Sequence, residues 1–469
     1  MEINRIRVLT INNRTIDYGM IFSLIIMVFC MFFHEIPSIS IVSLFSYMML
    51  LYFFFKKNPT IIFKQLWYFF IGSAAILGCL ILEFSDAYLT EIDKIAYFSG
   101  ATTFIVFSYS LLLISIDYFD YLMGKKLEKS SKKMVYFPFK DYFLWNKKSN
   151  SILLIVGSLM GLIMVVYLFA SVANNPSFSL GLDRFEYSES TEGGGIYGAI
   201  NRISQYFLIP CIVLAVYKNS KIGVAAIVLF CAHLVWTGNK FTAIFMVLWW
   251  ITAIYSQKYK DNFSFLKKRL FMIGILIVCM VVFAVIYALY INDKDIDEYM
   301  APRFAQQGQL WWYSFNHADP PNIMEFSDEI KGVSKGDSPL RENVGSKHGI
   351  YKMMYFAAPT TKVNNKLSSG SRYTEAGFAT AYYYFGIIGC ILLAVIGGAL
   401  ASLFINLFLY YVRYNQYVRA FIMLRMIDHL TTGLLLFDFA RFFNYTAIAS
   451  YFILFLLRGK IIKYRDIQI

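Results

Sequence analysis

Arg372 and Glu375 stand three residues apart in SGSRYTEAGFATAYYYFG (369–386), immediately before an apolar run that continues to about Tyr411. A guanidinium is a permanent, bidentate grip for phosphate or carboxylate, and a carboxylate can take the proton of a hydroxyl. Together at the mouth of an apolar segment they could hold an anion and activate a nucleophile. A structural reading competes: a helix starting near Thr374 carries Glu375 in its first turn, where the helix dipole favours a carboxylate. His317 and His348, in the same polar stretch, are alternative bases or simply exposed histidines.

More arginines lie between the apolar runs: Arg184, Arg202, Arg303, Arg341 and Arg441. Several converging on one pocket would bind a diphosphate, since the fork geometry matches phosphate oxygens. Taken singly, each is equally explained by solvation, and Arg441 by pairing with Asp438 at i,i+3. Lys240, in the tight hairpin WTGNKFTAIF (236–245), either snorkels to water or contacts an anion. In APRFAQQGQLWWYSF (301–315), Trp311 and Trp312 stand beside Gln306, Gln307 and Gln309. A sugar offers an apolar ring face and a rim of hydroxyls, so these residues and Tyr373 suit a glycan. The tryptophans equally suit a membrane-interface belt. Asp293-x-Asp295 has a spacing that can hold a divalent cation but also occurs where acids cap a span, and no metal site is assigned. Within one apolar run, Arg425 and Asp428 are i,i+3 and would satisfy each other, with His429 alongside.

These residues need a scaffold that puts polar loops against long apolar helices. Of the 469 residues, 58% are hydrophobic and 19% aromatic, and the mean hydropathy is +0.54. The apolar residues come in runs of about 17–25 broken by charged stretches, the pattern of an all-α polytopic membrane protein. Twelve transmembrane helices are expected near 17–34, 37–55, 66–83, 95–116, 151–172, 198–217, 221–237, 240–256, 270–291, 376–410, 418–438 and 441–457. The N-terminal run has no small-residue cleavage site after it and reads as a retained span.

The net charge of +13 does not indicate nucleic acid, because the lysines and arginines gather on one set of loops. Eight lysines fall between 117 and 150 alone. The positive-inside rule then puts both termini and that loop in the cytoplasm, with basic side chains facing anionic membrane lipids. Two enlarged loops face outward, 173–205 and 292–375; the second holds ten Lys/Arg and eleven Asp/Glu. Its aromatic residues argue that it folds against the membrane domain rather than remaining disordered. The organisation is spans 1–5 (1–172), an outer loop (173–205), spans 6–9 (198–291), the large outer loop (292–375) and spans 10–12 (376–469). All six cysteines lie in apolar segments without a CxxC, so disulfides, zinc and thiol chemistry are not expected.

The whole chain resembles the oligosaccharide repeat-unit polymerases of bacterial surface polysaccharides (Wzy, the O-antigen polymerases). The likeness lies in length, about a dozen spans, two enlarged periplasmic loops and a hairpin with a Gly-x-basic motif, here Gly238-Asn239-Lys240. That family commonly has Arg where this chain has Lys240. YTEAGFATAYYYFGIIG is similar to the family's entry into a late span, and Arg184 with Gly195 fits an Arg–Gly spacing found in some members. The resemblance implies a GT-C-like, inverting, lipid-linked glycosyltransferase at the periplasmic face of the inner membrane. Donor and acceptor would be oligosaccharides on undecaprenyl diphosphate, with no cofactor and with a chain-length regulator protein as a possible partner. Glu375, His348 and Arg372 would be catalytic. Arg303, Arg341, Arg184, Lys240 and Arg441 would bind the diphosphate, and Gln309, Trp311, Trp312 and Tyr373 the glycan. An O-antigen ligase shares the donor and differs in acceptor; a lipid-linked oligosaccharide flippase is the alternative from another class.

Overall fold

The computed structural model describes residues 2–85, 88–131, 135–136, 147–173, 194–236, 241–259, 296–334, 349–368, 373, 376–413, 417–437, 442–443, 445–456 and 461–462, with scattered positions between 262 and 272. The chain there is almost entirely helical: α1 (Glu2–Phe32), α2 (Pro37–Lys57), α3 (Pro59–Lys64), α4 (Leu66–Phe84), α5 (Ala101–Ser131), α6 (Lys147–Ala173), α7 (Gly194–Lys218), α8 (Lys221–Trp236), α9 (Phe241–Lys258), α10 (Ile296–His317), α11 (Phe326–Ser334), α12 (Gly349–Ala357), α13 (Thr360–Ser368), α14 (Ala376–Arg413), α15 (Tyr417–Leu436) and α16 (Tyr445–Leu456). Two short antiparallel pairs complete it: β1 (Tyr88–Leu89) with β2 (Lys94–Ile95), and β3 (Val135–Tyr136) with β4 (Ile461–Ile462).

Five helical segments among the described residues are long and apolar enough to cross a membrane: Pro37–Lys57, Leu66–Phe84, Ala101–Gly124, Leu154–Ser171 and Ala376–Arg413. Ile16–Phe32, Tyr206–Lys218 and Lys221–Leu234 are apolar but shorter. The protein is therefore an all-α, membrane-embedded chain. Outward faces of α1, α2, α6 and α14 carry exposed Ile, Phe, Leu and Val, as lipid contact requires. Serine hydroxyls inside the helices return to the carbonyl four residues back, as Ser23, Ser108 and Ser158 do, so few polar groups meet the apolar surroundings.

Two departures from the sequence expectation matter. α5 runs on to Ser131, into a stretch expected to be loop. Its added turns present Asp117 and Asp120 to lysines at the ends of α2 and α3. Lys57 lies 2.7 Å from both Asp17 and Asp117. Lys64 lies 3.1 Å from Asp120, and Asn406 of α14 donates to the same carboxylate at 2.7 Å. Lys64 and Asp120 are largely enclosed, and breaking such a pair typically costs about 3–5 kcal/mol, so this contact fixes one end of the bundle.

The second departure is α14, expected as one straight crossing. Gly386 has φ 61° and ψ −149°, a region essentially restricted to glycine. The chain reverses there. Cys390 lies 3.7 Å from the carbonyl of Phe378, twelve residues earlier. Ala376–Phe385 is thus a buried re-entrant limb lying back along the limb that begins at Ile387. The second limb runs beside α5: Ser402 donates to the Ile116 carbonyl at 2.7 Å. Phe378, on the re-entrant limb, packs edge-on against Tyr109, two turns into α5. The reversal, the start of α5, the end of α4 and the β1–β2 hairpin share one end of the bundle, called here the loop end.

The start of α5 is built on a buried carboxylate. Glu83 accepts from the backbone N–H of Ser99 (3.2 Å), Ala101 (2.6 Å) and Thr102 (3.2 Å). It thereby satisfies first-turn donors that have no partner within the helix. α10 crosses α4 where two glycines meet. A Cβ on Gly78 would fall 2.7 Å from the Gly308 nitrogen, and one on Gly308 2.8 Å from the Cys79 Cα. Small residues permit such backbone approach where lipid offers no hydrophobic drive for helices to associate. We expect Gly308→Ala to destabilise the detergent-solubilised protein by about 1–3 kcal/mol, the usual cost of overpacking. Gly124→Ala, where a Cβ meets nothing within 4 Å, should be neutral or stabilising. Thermal unfolding of both variants checks this, and an unchanged midpoint for Gly308→Ala would contradict the close crossing.

Candidate functional site

Two polar clusters form at the loop end. The first is built on the β1–β2 tip. Asp93 turns the chain with φ 57°, a conformation Asp tolerates. Glu91 is thereby aimed at the polar face of α10, where Gln306 and Gln309 are one turn apart. Both amides donate to its carboxylate, and Lys366 of α13 pairs with the same group. The Glu91 backbone carbonyl accepts from the Tyr373 hydroxyl at 2.8 Å. Lys362, one turn before Lys366, bridges the Thr90 carbonyl and Asp93, each at 2.9 Å. The Tyr88 hydroxyl, followed by Lys362, holds the Asp93 carboxyl below its ordinary pKa. Burial pushes the Tyr373 phenol up to about 12, so it remains a donor at neutral pH. Hairpin, α10, α13 and Tyr373 are thus fastened through one four-residue tip, Thr90 to Asp93.

The second cluster lies where the re-entrant limb reaches Gly386. A short 3-10 turn (Ile323–Glu325) leads into α11, and Asn322 donates to the Tyr383 carbonyl at 3.0 Å. Glu325 accepts from the Tyr383 hydroxyl at 2.8 Å and pairs with Lys352 of α12 at 2.6 Å. The Lys352 ammonium lies over both Tyr383 and Tyr384, 5.3 and 5.1 Å from the ring centroids. Glu329 is 5% exposed and accepts from the Tyr384 hydroxyl (2.8 Å) and the Gly349 N–H (2.6 Å). Gly349 opens α12, so this carboxylate also meets the positive end of a helix. The result is two carboxylates, an ammonium and two phenols within one patch, adjoining the apolar bundle. Glu325 is the open edge of this patch, its side chain 49% exposed, and a carboxylate there can accept from the hydroxyls of a ligand, while the other groups hold it in place from within.

The sequence-predicted residues divide sharply. Gln309 and Tyr373 are in the first cluster, and the Gln309 Oε1 is buried without a hydrogen-bond partner. Trp311 and Trp312 are fully buried. Their indoles donate to the Ala101 carbonyl (2.8 Å) and the Tyr97 carbonyl (3.0 Å), and their rings are enclosed by Phe315, Tyr382, Tyr97 and His317. In place of a sugar-stacking platform they pin α10 to the start of α5. His317 stacks on Tyr313 with centroids 4.1 Å apart. Arg425 pairs with Asp428 at 2.8 Å, as their spacing implies, and also contacts the Tyr206 hydroxyl. Arg372, Glu375, His348, Arg341, Arg184, Lys240, Arg441, Asp293 and Asp295 lie outside the described residues, as does the side chain of Arg303. Tyr373 and Ala376, on either side of Glu375, are both buried.

Glu91, Glu325, Glu329 and Lys352 were not singled out from sequence. A signal for Glu91 existed: its short loop concentrates Asp86, Glu91 and Asp93, complementary to Lys362 and Lys366 at i,i+4. The other three sit in a stretch of mixed charge where nothing in the spacing separates them from solvated neighbours.

Residues 343–462 match a family model described as a family of unknown function (DUF6418). The matched segment begins before α12 and includes Lys352, the re-entrant limb, Gly386 and α15. No curated protein and no solved structure matches the chain.

Lys352 and then Tyr383 hold the Glu325 carboxyl below its ordinary pKa. A carboxyl depressed in the folded state stabilises above its unfolded pKa, and that stability is lost as pH falls through the folded value. We therefore expect Glu325→Gln to lower stability at pH 6–7 and to make no difference once the pH is well below 4. Unfolding midpoints of both proteins across that range test it. A constant gap at all pH values would mean that the ion pair contributes nothing.

Proposed function

We propose that the protein is an inverting, lipid-linked glycosyltransferase that polymerises undecaprenyl-diphosphate-linked oligosaccharide repeat units into a surface polysaccharide. The observation that carries this reading is the Glu325–Lys352–Tyr383–Tyr384–Glu329 cluster. It offers hydroxyl-binding groups at one end of an apolar helical bundle, where a glycan on a membrane-held lipid would arrive. In this reading the loop end faces the periplasm and both termini the cytoplasm of a bacterial inner membrane, and the bundle is GT-C-like with about twelve spans.

The reaction balances without a cofactor. A hydroxyl at the non-reducing end of a new unit attacks the anomeric carbon of the growing glycan. The anomeric carbon–phosphate oxygen bond breaks, and undecaprenyl diphosphate departs with the bonding pair. Glu375, or His348, takes the hydroxyl proton. Arg372, with Arg303, Arg341, Arg184, Lys240 and Arg441, meets the charge developing on the leaving diphosphate, where electrostatic contacts contribute most. Glu91 fastens Tyr373, between Arg372 and Glu375, to the bundle. In this reading Glu325, half exposed, with Lys352 and Asn322 beside it, binds glycan hydroxyls. An enlarged binding surface at the loop end is also where a chain-length regulator would reach the product.

A second reading, a lipid-linked oligosaccharide flippase, is favoured by one observation. A cavity of about 130 Å³ between α7, α8, α9 and α15 is lined by Tyr206, Trp250 and Asp428, an ionisable residue inside an apolar helix.

Purified protein in detergent, given undecaprenyl-diphosphate-linked repeat units and no nucleotide sugar, should produce a ladder of longer lipid-linked glycans, with or without chelator. A flippase cannot, since detergent removes sidedness. Glu375→Gln should lower kcat by about 10²-fold or more with little change in KM, as loss of a general base does. Lys352→Met should mainly raise KM. Absence of a ladder from well-folded wild-type protein would overturn the polymerase reading.

A further inference from the structure

The 3-10 turn and α11 are amphipathic in the wrong sense for a surface bathed in water. A helix against a protein core normally turns its isoleucines inward and its carboxylates outward. Here Glu329 is 5% exposed, whereas Ile330 beside it is 58% exposed and Met324 is 91% exposed, with Ile323 also outward. The inward side is well satisfied: Glu329 is hydrogen-bonded to Tyr384 and Gly349, and Phe326 packs on Tyr384 and Phe385 with centroids 5.3 and 4.9 Å apart. Turning the segment over to hide its apolar side would strand a buried carboxylate acceptor and empty the Phe326 contact.

The position of this segment identifies what covers it. Pro320 lies against the reversal at Gly386, its Cβ 3.6 Å from where a glycine Cβ would stand. Ile388 stands two residues beyond Gly386 and Ile323 three beyond Pro320, so two outward apolar sets begin on either side of one contact. The α14 set continues as Ile388, Leu392 and Ile396 at i, i+4, i+8, all exposed on a helix apolar enough to cross a membrane. That face meets lipid. Nearby Asp319 and His317 are exposed and polar, as expected just beyond the apolar layer.

We infer that the Ile323–Glu325 turn and α11 lie in the membrane interface, with Ile323, Met324 and Ile330 seated at the boundary of lipid headgroups and acyl chains. Amphipathic segments bury their apolar face to about 5–10 Å in this layer. The Glu325–Lys352–Tyr383 cluster then stands at headgroup level, open sideways to a lipid-borne polar group. The inference rests on packing and exposure alone and stands whether or not the polymerase reading holds.

Site-directed spin labelling of the full-length protein in phosphatidylcholine nanodiscs tests it. Met324→Cys and Ile330→Cys would each carry a nitroxide, with Ile388→Cys as the lipid reference and Lys94→Cys, at the exposed hairpin, as the water reference. Cys231 and Cys279 are replaced by alanine in the background; the other native cysteines are buried. Collisions with oxygen report lipid, and collisions with a nickel chelate report water. The oxygen-to-nickel ratio at 324 and 330 should match that at 388 and exceed that at 94 several-fold. A ratio like that at 94 would overturn the inference. So would shielding from both reagents, or dipolar broadening between labels, since either would put a protein partner or a second copy on this face.

Discussion

A single backbone angle sets the geometry of the loop end. Because Gly386 adopts a conformation closed to residues with a Cβ, the apolar stretch beginning at Ala376 folds into two limbs. The re-entrant limb brings the buried Tyr383 and Tyr384 beneath the turn and packs Phe378 against Tyr109. Glu325, Glu329 and Lys352 gather on those two hydroxyls and rings. Were the segment straight, the two tyrosines would lie within one crossing and the carboxylates would lose their phenol donors.

Three carboxylates among the described residues are handled in the same way: each enters the bundle where its partners already wait. Glu83 is enclosed by backbone donors at the start of α5, and Glu91 by two amides and an ammonium. Asp120 is met by Lys64 and Asn406 at the opposite end. An unpaired charge in such surroundings is costly, whereas a satisfied one fixes register between helices. The second limb of α14 is held at Ser402 and Asn406 to α5, which in turn is capped by Glu83. The polar clusters of the loop end therefore rest on a seam locked at both ends.

Much of the architecture is legible in the sequence because lipid imposes long apolar runs and keeps charges between them. The positions of α2, α4 and the Arg425–Asp428 pair follow from that patterning. The reversal in α14 does not, since a glycine inside an apolar run has the same composition whether the helix passes through it or turns. Trp311 and Trp312 beside glutamines look alike as a sugar platform and as a helix anchor; the difference lies in the Ala101 and Tyr97 carbonyls, far away in sequence. Glu329 is invisible for a related reason: its value comes from a tyrosine and a backbone N–H contributed by two other segments.

The glycine-to-glycine crossing of α4 and α10 carries a consequence for how the chain is made. Gly78 and Gly308 are 230 positions apart (308 − 78), so α4 leaves the ribosome long before its partner exists. α10, with its glutamines and Asn316, is less apolar than the membrane-length helices, and its seat on α4 forms only once both helices have been made. The order of synthesis alone makes the α4–α10 crossing a late contact. The loop end can acquire its full shape only when synthesis has passed α10.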